Sequence, residues 1–424
     1  MAGSADRRER ALSRARDKAL AEWSAELGRL RAREDYIPEL AYFLDLFEDP
    51  SIAAVEERVG MPVAAMLCLQ APVELFLAQG FFPVKIYGGS YAASNLTSPR
   101  LPALMCPTLK SILGATELDP GLMRVPWVIP LTCDWLARFK ETRDLFGGFE
   151  KPVLELEVPR IKEGDGPKEL WLSEVHGLSV FLKEQGGLPL KRGRLLESIK
   201  RLEGIRLAFL RLTELRRQGL IGSQFFSIVL SGLFRDLPER FQDSLETLVS
   251  ALSDKAGKPD AKAPLGGVRT GGVFLTGSPV YFPNFKILNL IERAGLQVLG
   301  DDLCSSERIL PRHVEVGDKS ERGLLKALAE TYHLGCLCPV FAANDRRAAI
   351  IKEATNLADI RGVVFHLLKG CHPYDLDSFM LEETVHSWGL RFLRIETDYS
   401  HEDSQNILTR LEAFRPTLEA KRAV

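Results

Sequence analysis

Gly362-Val363-Val364-Phe365-His366-Leu367-Leu368-Lys369-Gly370-Cys371-His372-Pro373-Tyr374-Asp375 is the stretch that decides the fold. Gly362 to Leu368 is an apolar run of strand length. A buried strand of a parallel sheet has this composition, because helices cover both of its faces. The run ends in a short turn at Cys371, and Leu376 to Trp388 carries the next helical pattern. Working outward, the same grammar repeats. Gly272 to Thr276, Gln297 to Gly300 and Leu390 to Ile395 read as strands. Asn284 to Ala294, Glu321 to Tyr332, Arg346 to Asn356 and Glu402 to Phe414 read as helices. Strand–helix alternation of this kind predicts a doubly wound, flavodoxin-like parallel sheet.

An earlier part of the chain has the same pattern. Pro62 to Leu69, Pro83 to Tyr87 and Trp127 to Thr132 read as strands. Helices are expected over Ala71 to Gln79, near Pro102 to Leu113, and over Trp135 to Phe146. The fold class expected is therefore α/β, with two flavodoxin-like doubly wound parallel-sheet domains. An N-terminal helical segment occupies residues 1–60, with one charged helix up to about residue 34 and a second over Glu39 to Val59. The first α/β domain takes 61–165. A helical middle region, 166–253, is expected to pack with it, through helices over Trp171 to Glu184, Leu190 to Arg217 and Phe225 to Leu252. Residues 254–267, rich in Lys, Ala, Pro and Gly, form a linker. The second domain takes 268–424.

Composition narrows the function. The chain has 424 residues, is 46% hydrophobic and 26% charged, and carries a net charge of -2. That balance gives no global electrostatic case for nucleic acid or a membrane surface. No secretory signal and no bilayer-spanning run is read, so a cytoplasmic location is expected. The middle helix is strongly basic, with Lys191, Arg192, Arg194, Lys200, Arg201, Arg206, Arg211, Arg216 and Arg217. A solvated face is the expected role, and contact with an anionic partner or an acyl-CoA phosphate is the functional one.

The seven cysteines are Cys68, Cys106, Cys133, Cys304, Cys336, Cys338 and Cys371. In a reducing compartment they read as buried thiols, zinc ligands or iron–sulfur ligands rather than disulfides. Cys336 and Cys338 are too close in sequence to bond to each other without strain. Cys133, Cys304 and Cys371 each follow an expected strand. Cys106 lies by a helix start, and Cys336 and Cys338 lie between helices. Ligands of doubly wound sheets sit beyond the carboxyl ends of the strands. Cys68 reads instead as a buried thiol within a strand, or as a replacement for one of the six. Dispersed single thiolates suit cluster iron better than zinc, which usually shows two close ligand pairs.

At these residues the chain resembles the 2-hydroxyacyl-CoA dehydratase and benzoyl-CoA reductase family. The resemblance rests on Thr276-Gly277-Ser278-Pro279, Asn284-Phe285-Lys286-Ile287, Asp301-Asp302-Leu303-Cys304 and Cys336-Leu337-Cys338-Pro339. It continues through Asn344-Asp345-Arg346-Arg347, Gly370-Cys371-His372-Pro373-Tyr374, Ile395-Glu396-Thr397-Asp398-Tyr399-Ser400 and Thr409-Arg410-Leu411-Glu412-Ala413-Phe414. Looser matches lie at Tyr87-Gly88-Gly89, Cys106-Pro107 and Thr132-Cys133-Asp134.

The resemblance implies an iron–sulfur cluster between two flavodoxin-like domains, fed with low-potential electrons by an ATP-hydrolysing iron–sulfur activator. The matched cysteines Cys106, Cys133, Cys304, Cys336, Cys338 and Cys371 resemble the double-cubane branch, in which an [8Fe-9S] cluster reduces small molecules. A homodimer is then expected. The alternative is a dehydratase or benzoyl-CoA reductase subunit with one [4Fe-4S] cluster, an acyl-CoA substrate and a heterodimeric partner. A further alternative is a non-catalytic electron carrier. Trp135 is bulky for its place in the family pattern and would narrow the pocket.

Beside Cys371, His372 is a candidate proton donor, although a structural loop histidine is the commoner case. Glu396, Asp398 and Tyr399 are read mainly as helix-capping residues. Gly88-Gly89 and Gly277 are weak candidates for a phosphate turn. Asp301 and Asp302 are expected to be structural.

Overall fold

The computed structural model describes residues 2–256, 272–310, 313–342 and 345–419. Its frame is two four-stranded parallel sheets. The first contains β1 (Val63–Met66), β2 (Phe82–Lys85), β3 (Trp127–Leu131) and β4 (Val153–Glu157), in the order β2-β1-β3-β4. The second contains β5 (Gly272–Gly277), β6 (Gln297–Asp301), β7 (Ile360–Leu368) and β8 (Arg391–Thr397), in the order β6-β5-β7-β8. Both sheets therefore repeat one winding. The first strand lies inside, the second at its left edge, and the chain then reverses to the other side. The stretch from Gly362 to Leu368 pairs in parallel with β5 and β8, as a doubly wound sheet requires. Two flavodoxin-like units are observed.

Several elements differ from the sequence expectation. The helix expected over Glu39 to Val59 is broken into Pro38–Leu40, Ala41–Asp45 and Ile52–Val59. Pro50 cannot continue a helix, and Ser51 caps the new one by accepting from the Ala54 amide. The helix expected over Phe225 to Leu252 is likewise split into Ser223–Ser231, a short turn Gly232–Phe234, and Pro238–Ala256. The helix Pro107–Leu118 starts later than expected and leaves Cys106 as its N-cap. The segment expected as one helix over Trp135 to Phe146 is a turn Leu136–Arg138 followed by Phe139–Asp144. The linker expected at 254–267 falls mostly outside the described residues.

The middle helix Arg192–Arg217 packs on both halves. Arg206, 5% exposed, pairs with Glu74 at 2.5 Å, and Arg216 pairs with Asp301 at 2.6 Å. Two of its arginines are thus structural clamps facing inward. Asp302 pairs in the same way with Arg347 at 2.6 Å. Among the described residues, no helix is long and apolar enough to cross a membrane.

Candidate metal centre

In a doubly wound parallel sheet the loops that follow the strands gather beyond their carboxyl ends. Cys68 follows β1, Cys133 follows β3, Cys304 follows β6 and Cys371 follows β7. Cys106 caps the helix Pro107–Leu118, and Cys371 caps the helix His372–Ser387. Cys336 and Cys338 lie between the helices Glu321–Leu334 and Asp345–Leu357. All seven cysteines line one cavity of about 730 Å³.

This corrects the assignment of Cys68. The strand stops at Met66, so Cys68 stands in the loop beyond β1 and faces the same space as the other thiols. It occupies the place in the first sheet that cysteines occupy after β3, β6 and β7. Its position two residues past a shorter strand is the signal that sequence reading missed. His372, in contrast, is exposed and does not line the cavity. Its ring lies 6.1 Å from that of Trp135. Trp135 lines the cavity and donates from Nε1 to the Gly370 carbonyl at 3.0 Å.

Close backbone approach joins the two halves. A Cβ on Gly89 would come within 2.5 Å of the Phe282 carbonyl oxygen, and one on Gly370 within 1.9 Å of that of Leu104. These glycines serve contact between chain segments. Gly277 has a φ of 111°, and a Cβ there would strike the His366 carbonyl at 2.0 Å.

The thiols differ in their electrostatics. Cys371 donates to Cys106, and amides of the helix start add to that bond, holding the Cys106 thiol down to about 7. As the donor of that bond, and buried, Cys371 is pushed well up. Burial pushes Cys133 up to about 12 and Cys336 up to about 11. Cys338 is driven up by burial and then by its neighbour Cys336, and Cys68 by burial. A buried thiolate is poorly solvated, so these groups gain by meeting a cation.

Four cationic side chains also line the cavity, Lys85, Arg206, Arg217 and Arg308, of which Arg206 pairs with Glu74 and Arg217 with Glu214. Arg308 donates to the Tyr374 hydroxyl at 2.6 Å and to the Asp302 carbonyl. Lys85 Nζ lies 3.3 Å from the Leu67 carbonyl and 3.3 Å from the Tyr281 hydroxyl. Among the described residues, no three His, Cys, Asp or Glu side chains converge closely enough for a single metal ion. The thiols surround a volume instead. Soft donors on several loops, an enclosing cavity and nearby cations fit a polynuclear thiolate-ligated centre, whose net charge is negative.

Comparison with known proteins agrees with this architecture. The sequence profile of the 2-hydroxyglutaryl-CoA dehydratase, D-component, family matches residues 68–418, a span containing every cysteine. A putative dehydratase subunit of Escherichia coli (strain K12), YjiM, is 26% identical over 373 residues, covering 86% of this chain and 93% of that protein. The (R)-phenyllactyl-CoA dehydratase beta subunit of Clostridium sporogenes is 22% identical over 389 residues, covering 89% and 97%. The lactoyl-CoA dehydratase subunit beta of Anaerotignum propionicum is 21% identical over 394 residues, covering 88% and 97%. Two sheets of one winding, a thiol-lined cavity where their loops meet, and a profile match over most of the length place this chain in the 2-hydroxyglutaryl-CoA dehydratase D-component family.

Proposed function

We propose that the cavity holds an iron–sulfur centre at which a small substrate is reduced by low-potential electrons from an ATP-hydrolysing iron–sulfur activator. The observation that supports this most is the gathering of all seven thiols on one cavity of about 730 Å³. A single [4Fe–4S] cube takes four cysteines at most. The surplus favours an [8Fe-9S] double cubane with six ligands drawn from both halves. Cys106, Cys133, Cys304, Cys336, Cys338 and Cys371 form the set expected from the resemblance, and Cys68 joins it as a candidate because it lines the same space.

When bound, the centre supplies stored low-potential electrons. The chain's own residues hold and shield it. Leu67, Ile86, Leu109, Ile112 and Phe274 give the cavity an apolar lining that limits water. Arg308 offsets negative charge near Cys304 and Cys338. The cavity extends to Leu207, Leu210 and Leu357, which are exposed and mark a route for substrate.

A second reading is favoured by the relatives. Two of them are named as beta subunits of phenyllactyl-CoA and lactoyl-CoA dehydratases. On that reading the chain is one subunit of a heteromeric acyl-CoA dehydratase and holds one [4Fe–4S] cluster.

Iron and acid-labile sulfide per polypeptide in anaerobically purified protein separate the two. About eight irons and nine sulfides, lost in Cys338→Ser, support the double cubane. About four irons, retained in that variant, support the dehydratase subunit. No iron after anaerobic reconstitution overturns both.

A further inference from the structure

Lys85 closes the edge strand β2, in register with Met66 of β1. That register carries its amine to the carboxyl end of the sheet, beside the loop that bears Cys68. Lys85 is 3% exposed, yet among the described residues no carboxylate lies within ion-pair distance of it. The buried cations Arg206, Arg216 and Lys286 each meet one, in Glu74, Asp301 and Asp403. A buried ammonium without a counter-charge is destabilising, because the interior solvates it far less well than water does. Two aromatic rings partly shelter it, Tyr87 at 5.5 Å and Tyr281 at 5.2 Å.

Its hydrogen bonds have a direction. Burial lowers the Lys85 amine from its usual value and the sulfurs of Cys304 and Cys68 act against that; in its ammonium form it only donates, and the Tyr281 oxygen then accepts from it. The single hydroxyl proton of Tyr281 is then free for Cys304 Sγ, 3.9 Å away. Lys85, Tyr281 and Cys304 form a short donor chain that ends on a cavity sulfur. This end of the cavity therefore holds a positive charge that no carboxylate among the described residues neutralises.

We propose that Lys85, acting through Tyr281, is the charge-compensating positioning pair for the Cys304 side of the metal centre, directing a hydrogen bond at the Cys304 sulfur and favouring the reduced state of the bound cluster. The inference rests on the iron–sulfur reading above. Reduction adds negative charge, which a nearby ammonium stabilises, and hydrogen bonds to ligand sulfur act in the same direction. The missing counter-charge of Lys85 is thus the anionic centre itself. Lys85 acts through another group and is not a catalytic residue in this account.

Three variants of the full chain, Lys85→Met, Lys85→Arg and Tyr281→Phe, test the proposal. They are purified anaerobically beside wild type, and iron content is measured first. Midpoint potential is then read by spectroelectrochemistry, and melting temperature is read on the iron-depleted protein. The expected result is wild-type iron content with a more negative potential in Lys85→Met and Tyr281→Phe. Lys85→Arg should stay near the wild-type potential. Iron-depleted Lys85→Met should melt above iron-depleted wild type, because a desolvated charge has been removed. An unmoved potential in iron-loaded Lys85→Met or Tyr281→Phe overturns the proposal, as does a lower melting temperature of iron-depleted Lys85→Met. Iron-free wild type overturns the proposed function itself, and so separates the two failures. Should Lys85→Met not fold, the potential of Tyr281→Phe decides.

Discussion

The hydroxyls of Tyr399 and Thr108 lie 2.9 Å apart. Tyr399 follows β8 of the second sheet, and Thr108 stands in the first turn of the helix capped by Cys106. Tyr399 also donates to the Gly88 carbonyl. A carbonyl can only accept, so the Tyr399 proton goes to Gly88, and Thr108 donates to Tyr399. Lys286 secures the loop on the other side, reaching Thr397 Oγ1 at 2.7 Å and Asp403 at 2.7 Å. One buried phenol thus ties the thiol-bearing ends of both sheets together.

Tyr399→Phe keeps the ring and removes the latch, leaving the Gly88 carbonyl buried without its donor. The expected cost is about 1–3 kcal/mol. Urea denaturation of the full chain checks this. On the iron–sulfur reading proposed above, a faster loss of iron in air accompanies it, and the iron outcomes given below for other variants rest on the same reading.

Gly370 has a φ of 74°, and a Cβ there would lie 1.9 Å from the Leu104 carbonyl oxygen. Gly370→Ala therefore forces apart the two turns that carry Cys371 and Cys106. A loss of roughly 1–3 kcal/mol is expected from the strained backbone alone. Iron content should fall as well, which metal analysis would read.

Cys68→Ser tests the thiol that the sequence pattern set apart. Its place beyond β1 matches that of Cys133 beyond β3, so both serine variants should lose iron to a similar extent. His372→Ala, altering a side chain outside the cavity, should retain iron. Wild-type iron content in Cys68→Ser would return Cys68 to a packing role.

His366 sits near the carboxyl end of β7 with Nδ1 2.9 Å from the Ser278 carbonyl. Burial holds its imidazole down to about 4. The unfolded chain takes up this proton near the ordinary value of about 6.5, while the folded chain refuses it until about pH 4. Stability from this group is therefore whole above about pH 6.5 and falls as pH drops towards 4, by about 3 kcal/mol in all. Urea midpoints at pH 7 and pH 5 should differ, and the difference should shrink in His366→Asn.

The sequence by itself determined the repeating strand and helix units, because a run such as Val363-Val364-Phe365-His366-Leu367-Leu368 can satisfy its apolar side chains only between layers. It also carried the thiols at strand ends, where a parallel sheet gathers its loops. It did not show β4, since Val153-Leu154-Glu155-Leu156-Glu157 is a half-exposed edge strand with the alternation of a surface element. Nor did it show the breaks at Pro50 and Gly232, where local chain breakers override helical periodicity. The end of β1 at Met66, which frees Cys68 for the cavity, was set by pairing with β2 and β3 and not by the apolar run that continues to Leu69. Only the tertiary structure decided that seven cysteines scattered from residue 68 to residue 371 share one cavity and that Lys85 meets no carboxylate among the described residues. Those facts depend on contacts between residues far apart in the chain, which local propensity and spacing do not encode.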